Sequence, residues 1–136
     1  MKLLVTGGAG YVGAHTVHAL LAQGHEVVIL DNLSTGHKWA LQDCELITID
    51  LRDETNLVRK LKGRGFDGVL HFAAKSLVGE SKNQPAMYYQ NNVGGTTNLV
   101  RAMQAADIQR LVFSSTAAIF GNPLSDLIDE AHPKIP

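Results

Sequence analysis

The sequence predicts an α/β layer structure, a doubly wound parallel sheet with helices on both faces. Short apolar runs recur at residues 3–6, 27–30, 46–49, 68–72 and 111–114. They are apolar at successive positions, as strands covered on both faces are. Between them lie segments with helical spacing or helix punctuation, which is what β–α–β crossovers require.

Leu3, Leu4, Val5 and Thr6 form the first strand, and Gly7-Gly8 stops it. Residues 11–23 follow as a helix. Val12, Thr16, Ala19, Leu20 and Gln23 recur at helical spacing, Leu21 widens the apolar side, and Gly24 ends it. The second strand, 27–30, leads into turn chemistry at Asn32-Leu33-Ser34-Thr35-Gly36. The third, 46–49, ends at Asp50. Asp53 is placed to cap a helix over 54–61, which Gly63 closes. After the fourth strand, Pro85 opens a long helix through Ala106. The fifth strand follows, and beyond Phe120 the chain reads as loop. No repeat or linker divides residues 1–136. The layer structure reads as incomplete, because nothing follows the fifth strand to cover it.

Composition narrows the function classes. Hydrophobic residues are 45%, charged residues 18%, and the formal net charge is -1. That is too apolar and too weakly charged for disorder. Twelve Lys+Arg against thirteen Asp+Glu, unclustered, argue against nucleic acid. No apolar run approaches the roughly 18 residues of a membrane span, and the amino terminus lacks a signal-peptide pattern. The single Cys44 excludes an internal disulfide and fits a reducing compartment, so a cytoplasmic location is expected.

Gly7-Gly8-Ala9-Gly10-Tyr11-Val12-Gly13 joins the first strand to the first helix. Glycines at 7, 10 and 13 suit a tight turn, close approach of backbone to a pyrophosphate, and close helix–strand packing. The helix start offers free N–H groups and a positive dipole end to phosphates. Asp31 ends the second strand, 18 residues after Gly13. An acid there accepts from adenosine ribose hydroxyls and repels a 2′-phosphate, and no Lys or Arg follows until Lys38. NAD is expected over NADP. The alternative is that Asp31 only caps a turn with Asn32. Loops after the other strands should reach the same crevice: Asp50-Leu51, Phe72-Ala73-Ala74-Lys75-Ser76, and Ser114-Ser115-Thr116. Asp50 could hold an adenine amino group or cap a helix; the residues leave both open.

These motifs, with Asp50-Leu51-Arg52-Asp53, His71-Phe72-Ala73-Ala74, Tyr89-x-Asn91-Asn92-Val93-x-Gly95-Thr96 and Ser114-Ser115-Thr116 in this order, resemble the extended short-chain dehydrogenase/reductase family. Val78-Gly79-Glu80-Ser81 and Tyr88-Tyr89-x-Asn91-Asn92 resemble its UDP-glucose 4-epimerase branch. The resemblance covers the whole chain and implies a Rossmann-like NAD-binding part. It implies interconversion of UDP-glucose and UDP-galactose on tightly held NAD, through a 4-keto sugar, in a homodimer. It assigns Tyr11 and Val12 to the pyrophosphate, and Asp31, Asn32, Leu33, Ser34, Thr35 and Gly36 to the adenosine ribose. Asp50 and Leu51 would hold adenine. Phe72, Ala73, Ala74, Lys75, Ser76 and Asn91 would line the cofactor's path. Ser114 would sit beside the nicotinamide, and Thr116 would hydrogen-bond the sugar O4.

Two departures stand out. Many relatives carry lysine where this chain has Ser76. The family's catalytic Tyr-x-x-x-Lys is also absent: Tyr11, Tyr88 and Tyr89 are followed four residues on by His15, Asn92 and Val93. The sequence therefore reads as the amino-terminal share of such an enzyme, lacking the substrate half and inactive alone. The alternatives are a nucleotide-sugar 4,6-dehydratase and a non-catalytic NAD-binding module. The first is disfavoured because Ala117-Ala118 after Thr116 cannot shuttle protons.

The remaining candidates read as structural. No metal site is expected, since His15 and His18 lack a completing ligand. His71 reads as a satisfied buried histidine and Cys44 as inert. Trp39 is expected to pack the segment after Gly36 onto the domain. Of the two helix-weakening asparagines, Asn91 is expected to face the cofactor and Asn92 to bond a neighbouring loop. Tyr88, Leu99 and Met103 fit either sheet packing or a partner.

Overall fold

The computed structural model describes residues 1–136. Five parallel strands, β1 (Lys2–Thr6), β2 (Glu26–Asp31), β3 (Glu45–Thr48), β4 (Gly68–His71) and β5 (Leu111–Phe113), form one sheet in the order β3-β2-β1-β4-β5. Each strand lies within two residues of its predicted place.

Alternate side chains explain why the strands read as continuous apolar runs. Leu4, Val28, Leu30, Ile47 and Val69 face one way, onto α2 (Glu54–Leu61) through Leu57 and Leu61 and onto α5 (Gly95–Ala105) through Leu99, Ala102 and Met103. Val5, Val27 and Ile29 face the other way, onto Val17 of α1 (Tyr11–Ala22), with Leu20 and Leu21 beside them. A sheet buried on both faces leaves its ligands only the carboxyl ends of its strands. The crevice opens where strand order reverses, between β1 and β4.

Asp53 caps α2 by accepting from the Asn56 amide at 3.1 Å. The helix expected over 85–106 is not continuous. It runs as α4 (Pro85–Tyr88), a π-helical turn (Tyr89–Gly94) and then α5. A short helix, α3 (Val78–Asn83), precedes it; being polar and without buried residues, it left no apolar period to read. Leu99 and Met103 belong to the core, which settles their role as sheet packing.

Trp39 departs from expectation. It is 83% exposed and stacked on His37, while Ala40 and Leu41 next to it do the packing. β5 lies at the sheet edge, with Val112 59% exposed. No helix is long and apolar enough to cross a membrane.

Candidate functional site

The cleft begins with the glycine turn. Gly7 has φ +71°, a left-handed conformation that a Cβ would strain, and that Cβ would also lie 2.6 Å from the Ala73 nitrogen. A Cβ on Gly13 would collide with the Gly7 carbonyl oxygen. These two glycines let strand, turn and helix close on one another. Gly10 differs, because a Cβ there would approach only the Gly7 oxygen, at 3.3 Å, and is otherwise open.

Helix α1 starts at this open point. Its cap residue Gly10 has no side chain, and its first turn holds no acid. The amides of Tyr11, Val12 and Gly13 meet no protein acceptor. Three free donors at the positive end of a helix favour an anionic ligand, which fits a dinucleotide pyrophosphate.

Asp31 is buried at the end of β2. Its carboxylate accepts from the Ala9 amide at 3.1 Å and the Leu33 amide at 2.8 Å, which ties the glycine turn to the loop after β2. Each oxygen keeps a further lone pair for a ligand hydroxyl. Turn capping and ligand contact are thus compatible at this residue.

Asp50 is not the helix cap; Asp53 is. Both Asp50 oxygens take the Arg52 guanidinium, at 2.9 and 2.8 Å, and Asn32 donates to it at 2.9 Å. The Arg52 hydrogen bonds hold the Asp50 carboxyl well below the usual range.

A cleft of about 370 Å³ lies over these strand ends. It is lined by Gly7, Gly10, Tyr11, Val12 and Gly13 from the first turn, and by Asp31, Asn32, Ser34 and Thr35 after β2. Asp50 and Leu51 follow β3, Phe72, Ala73, Ala74, Lys75 and Ser76 follow β4, and Asn91 reaches in from the π-turn. Sequence reasoning missed Leu30, Ile49, Leu77, Glu80 and Tyr88, which also line it. The signal for the last two was present, since Glu80 and Tyr88 stand in the phrases that carry the family resemblance.

Four expected residues lie outside the cleft. Leu33, at φ +57°, gives its amide to Asp31 and turns the loop. Gly36 passes close over Ala9, where a Cβ would lie 2.8 Å from the Ala9 Cβ. Ser114 and Thr116 are exposed, because they leave the edge strand β5, one strand beyond the β1–β4 reversal. Thr116 accepts from the Ala118 amide at 3.2 Å and keeps its own proton.

Behind the cleft, His71 is 3% exposed and fully paired. Thr96 gives its proton to the Asn92 carbonyl at 2.6 Å, so it accepts from Nε2–H of His71 at 2.9 Å. That leaves Nδ1 to accept from Thr6 at 2.6 Å. Burial pushes the imidazole pKa down to about 4, so the ring is neutral. Burial and the Asp43 charge raise the Cys44 thiol pKa, which disfavours the nucleophilic thiolate. No cluster of metal-ligating side chains exists.

The comparisons agree with this geometry. The chain is 51% identical over 136 residues to a UDP-glucose 4-epimerase of Halalkalibacterium halodurans, covering 100% of this chain and 41% of that protein. It is 50% identical over 137 residues to the UDP-glucose 4-epimerase of Streptomyces lividans, covering 99% and 42%. The chain thus spans about two fifths of the length of these relatives. A crystal structure of UDP-glucose 4-epimerase from Brucella ovis in complex with NAD superposes with a TM-score of 0.89 at 41% identity, covering 99% of this chain and 42% of that one. Residues 3–136 match the family model described as NAD dependent epimerase/dehydratase. Parallel sheet, glycine turn and relatives converge, and the chain belongs to the NAD dependent epimerase/dehydratase family.

Proposed function

We propose that this chain forms the NAD cradle of a UDP-glucose 4-epimerase that interconverts UDP-glucose and UDP-galactose. One observation carries the reading: three unpaired helix-start amides and the Asp31 carboxylate face one cleft at the strand-order reversal. The amides of Tyr11, Val12 and Gly13 hold the pyrophosphate, with Gly10 leaving room for it. Asp31 takes the adenosine ribose hydroxyls with Asn32 beside it, and Asp50 and Leu51 border the adenine. Lys75, Ser76 and Asn91 serve the remaining half. When bound, NAD supplies a ring that takes a hydride from the sugar carbon and returns it to the other face. Ser114 and Thr116, on the loop after β5 beyond the cleft lining, are the residues the family resemblance assigns to the ring and the sugar hydroxyl, and Thr116 keeps its own proton for that bond. Association of two copies through the α4, π-turn and α5 stretch is part of the same reading, with the exposed Val93 and Val100 as contacts.

Proton transfer from the sugar hydroxyl needs a base that none of the three tyrosines supplies, because none has a lysine one helical turn later. We expect no turnover of UDP-galactose by the 136-residue chain. We expect turnover by a longer product that carries this chain and a Tyr-x-x-x-Lys. A longer product of that kind that binds NAD but leaves UDP-galactose unchanged contradicts the assignment.

A further inference from the structure

Tyr88 and Asn92 stand four residues apart where α4 runs into the π-turn. Each grips one residue of the segment after β4 at two points. The Asn92 side chain accepts from the Lys75 N–H at 2.9 Å and donates to the Lys75 carbonyl at 2.9 Å. The Tyr88 hydroxyl accepts from the Leu77 N–H at 3.1 Å. It shares its single proton between the Leu77 carbonyl, at 2.9 Å, and the Glu80 carboxylate, at 2.7 Å.

The spacing has a physical basis. Tyr88 and Asn92, four residues apart across the start of the π-turn, reach the same segment from one side. Residues i and i+2 of an extended chain lie about 6.6 Å apart. Two side chains reaching from one side therefore do for residues 75 and 77 what an antiparallel strand would do, filling the donor and acceptor of alternate residues. Leu77 has the extended dihedrals this demands, φ −80° and ψ 105°. In an extended chain the N–H and C=O of the middle residue point to the opposite edge. Those of Ser76 meet no protein partner, and Ser76 lines the cleft. Asn91 donates to the Asn92 oxygen at 2.9 Å and so orients the amide that does the gripping.

We propose that Tyr88 and Asn92 are positioning residues. They hold residues 75–77 extended along the cleft, so that Ser76 presents its N–H, C=O and hydroxyl to the half of the dinucleotide beyond the pyrophosphate. The inference rests on the NAD reading above. Topology sets the side: Asp31 and Asp50 follow β2 and β3 on one flank of the glycine turn, and residues 75–77 follow β4 on the other.

Three variants test it. Tyr88→Phe keeps the ring and loses the hydroxyl. Asn92→Leu loses both contacts to Lys75, and Asn92→Asp keeps the acceptor. Amide hydrogen exchange is read first, without ligand. Tyr88→Phe deprotects the Leu77 amide and spares that of Lys75, Asn92→Leu does the reverse, and Asn92→Asp leaves the Lys75 amide protected. NAD titration then shows binding weakened about fivefold by Tyr88→Phe and by Asn92→Leu, with partial rescue by Asn92→Asp, the scale of one or two net hydrogen bonds. Exchange unchanged at 75 and 77, or wild-type NAD affinity in both Tyr88→Phe and Asn92→Leu, overturns the proposal. A wild-type chain that binds no NAD overturns the cofactor reading beneath it. The exchange data, taken without ligand, tell the two failures apart.

Discussion

A carboxylate at the end of β2 can select between two dinucleotides by charge alone. Asp31 spends one lone pair of each oxygen on the Ala9 and Leu33 amides, and the lone pairs left over suit hydroxyls and repel a phosphate. Asp31→Asn should weaken NAD binding about 10- to 100-fold, the worth of hydrogen bonds to a charged group. It should also narrow the difference between NAD and NADP. Equal losses for both cofactors would show that Asp31 acts only by capping the turn. A second residue-scale prediction separates two glycines. Gly13→Ala drives a Cβ into a backbone oxygen that cannot swing away, and should cost about 3 kcal/mol or more in urea unfolding. Gly24→Ala meets nothing within 4 Å and carries only the left-handed penalty of its φ of +77°, about 1 kcal/mol. The glycine spacing and Asp31 were legible in the sequence because backbone geometry leaves few residue choices there. Tyr88 and Glu80 stood in recognisable phrases, but their place in the cleft depends on where α3 and α4 lie, which residue type alone does not fix.

At the scale of elements, the interruption of the long helix repays attention to residue type. Two adjacent asparagines predicted that the helix had a polar duty, and the π-turn is where they meet it: Asn91 lines the cleft and Asn92 grips Lys75. The turn itself was not legible, since nothing in the residue pattern separates it from ordinary helix. Its inner anchor is Thr96, which joins it to His71 on β4 and, through the ring, to Thr6 on β1. That network carries a pH dependence. His71 titrates near 4 when folded and near 6.5 when unfolded, so the unfolded chain takes up the proton first as pH falls. The stabilisation, about 3 kcal/mol at most, is complete above pH 6.5 and is lost progressively as pH falls through 4. His71→Gln should remove this part of the slope when urea midpoints are compared across that window. An unaltered slope would place the titration elsewhere. Strands were the easiest elements to read, because burial on both faces leaves an unbroken apolar run. Helix α3 was the hardest, being short and polar.

For the whole molecule, strand order decides where chemistry can occur. β3-β2-β1-β4-β5 reverses between β1 and β4, so the glycine turn, Asp31, Asp50 and the segment after β4 converge although they are spread from Gly7 to Asn91 in sequence. Alternation of strands and helices made the parallel sheet readable, but not the order of its strands. Ser114 and Thr116 leave the edge strand β5 exposed, beyond the residues that line the cleft. On the proposed reading, this arrangement holds NAD with its own residues. Calorimetric titration of the 136-residue chain with NAD and with NADP tests it most directly. Saturable binding of NAD, at one site and clearly tighter than NADP, is the predicted result. No binding of NAD, or tighter binding of NADP, would contradict it.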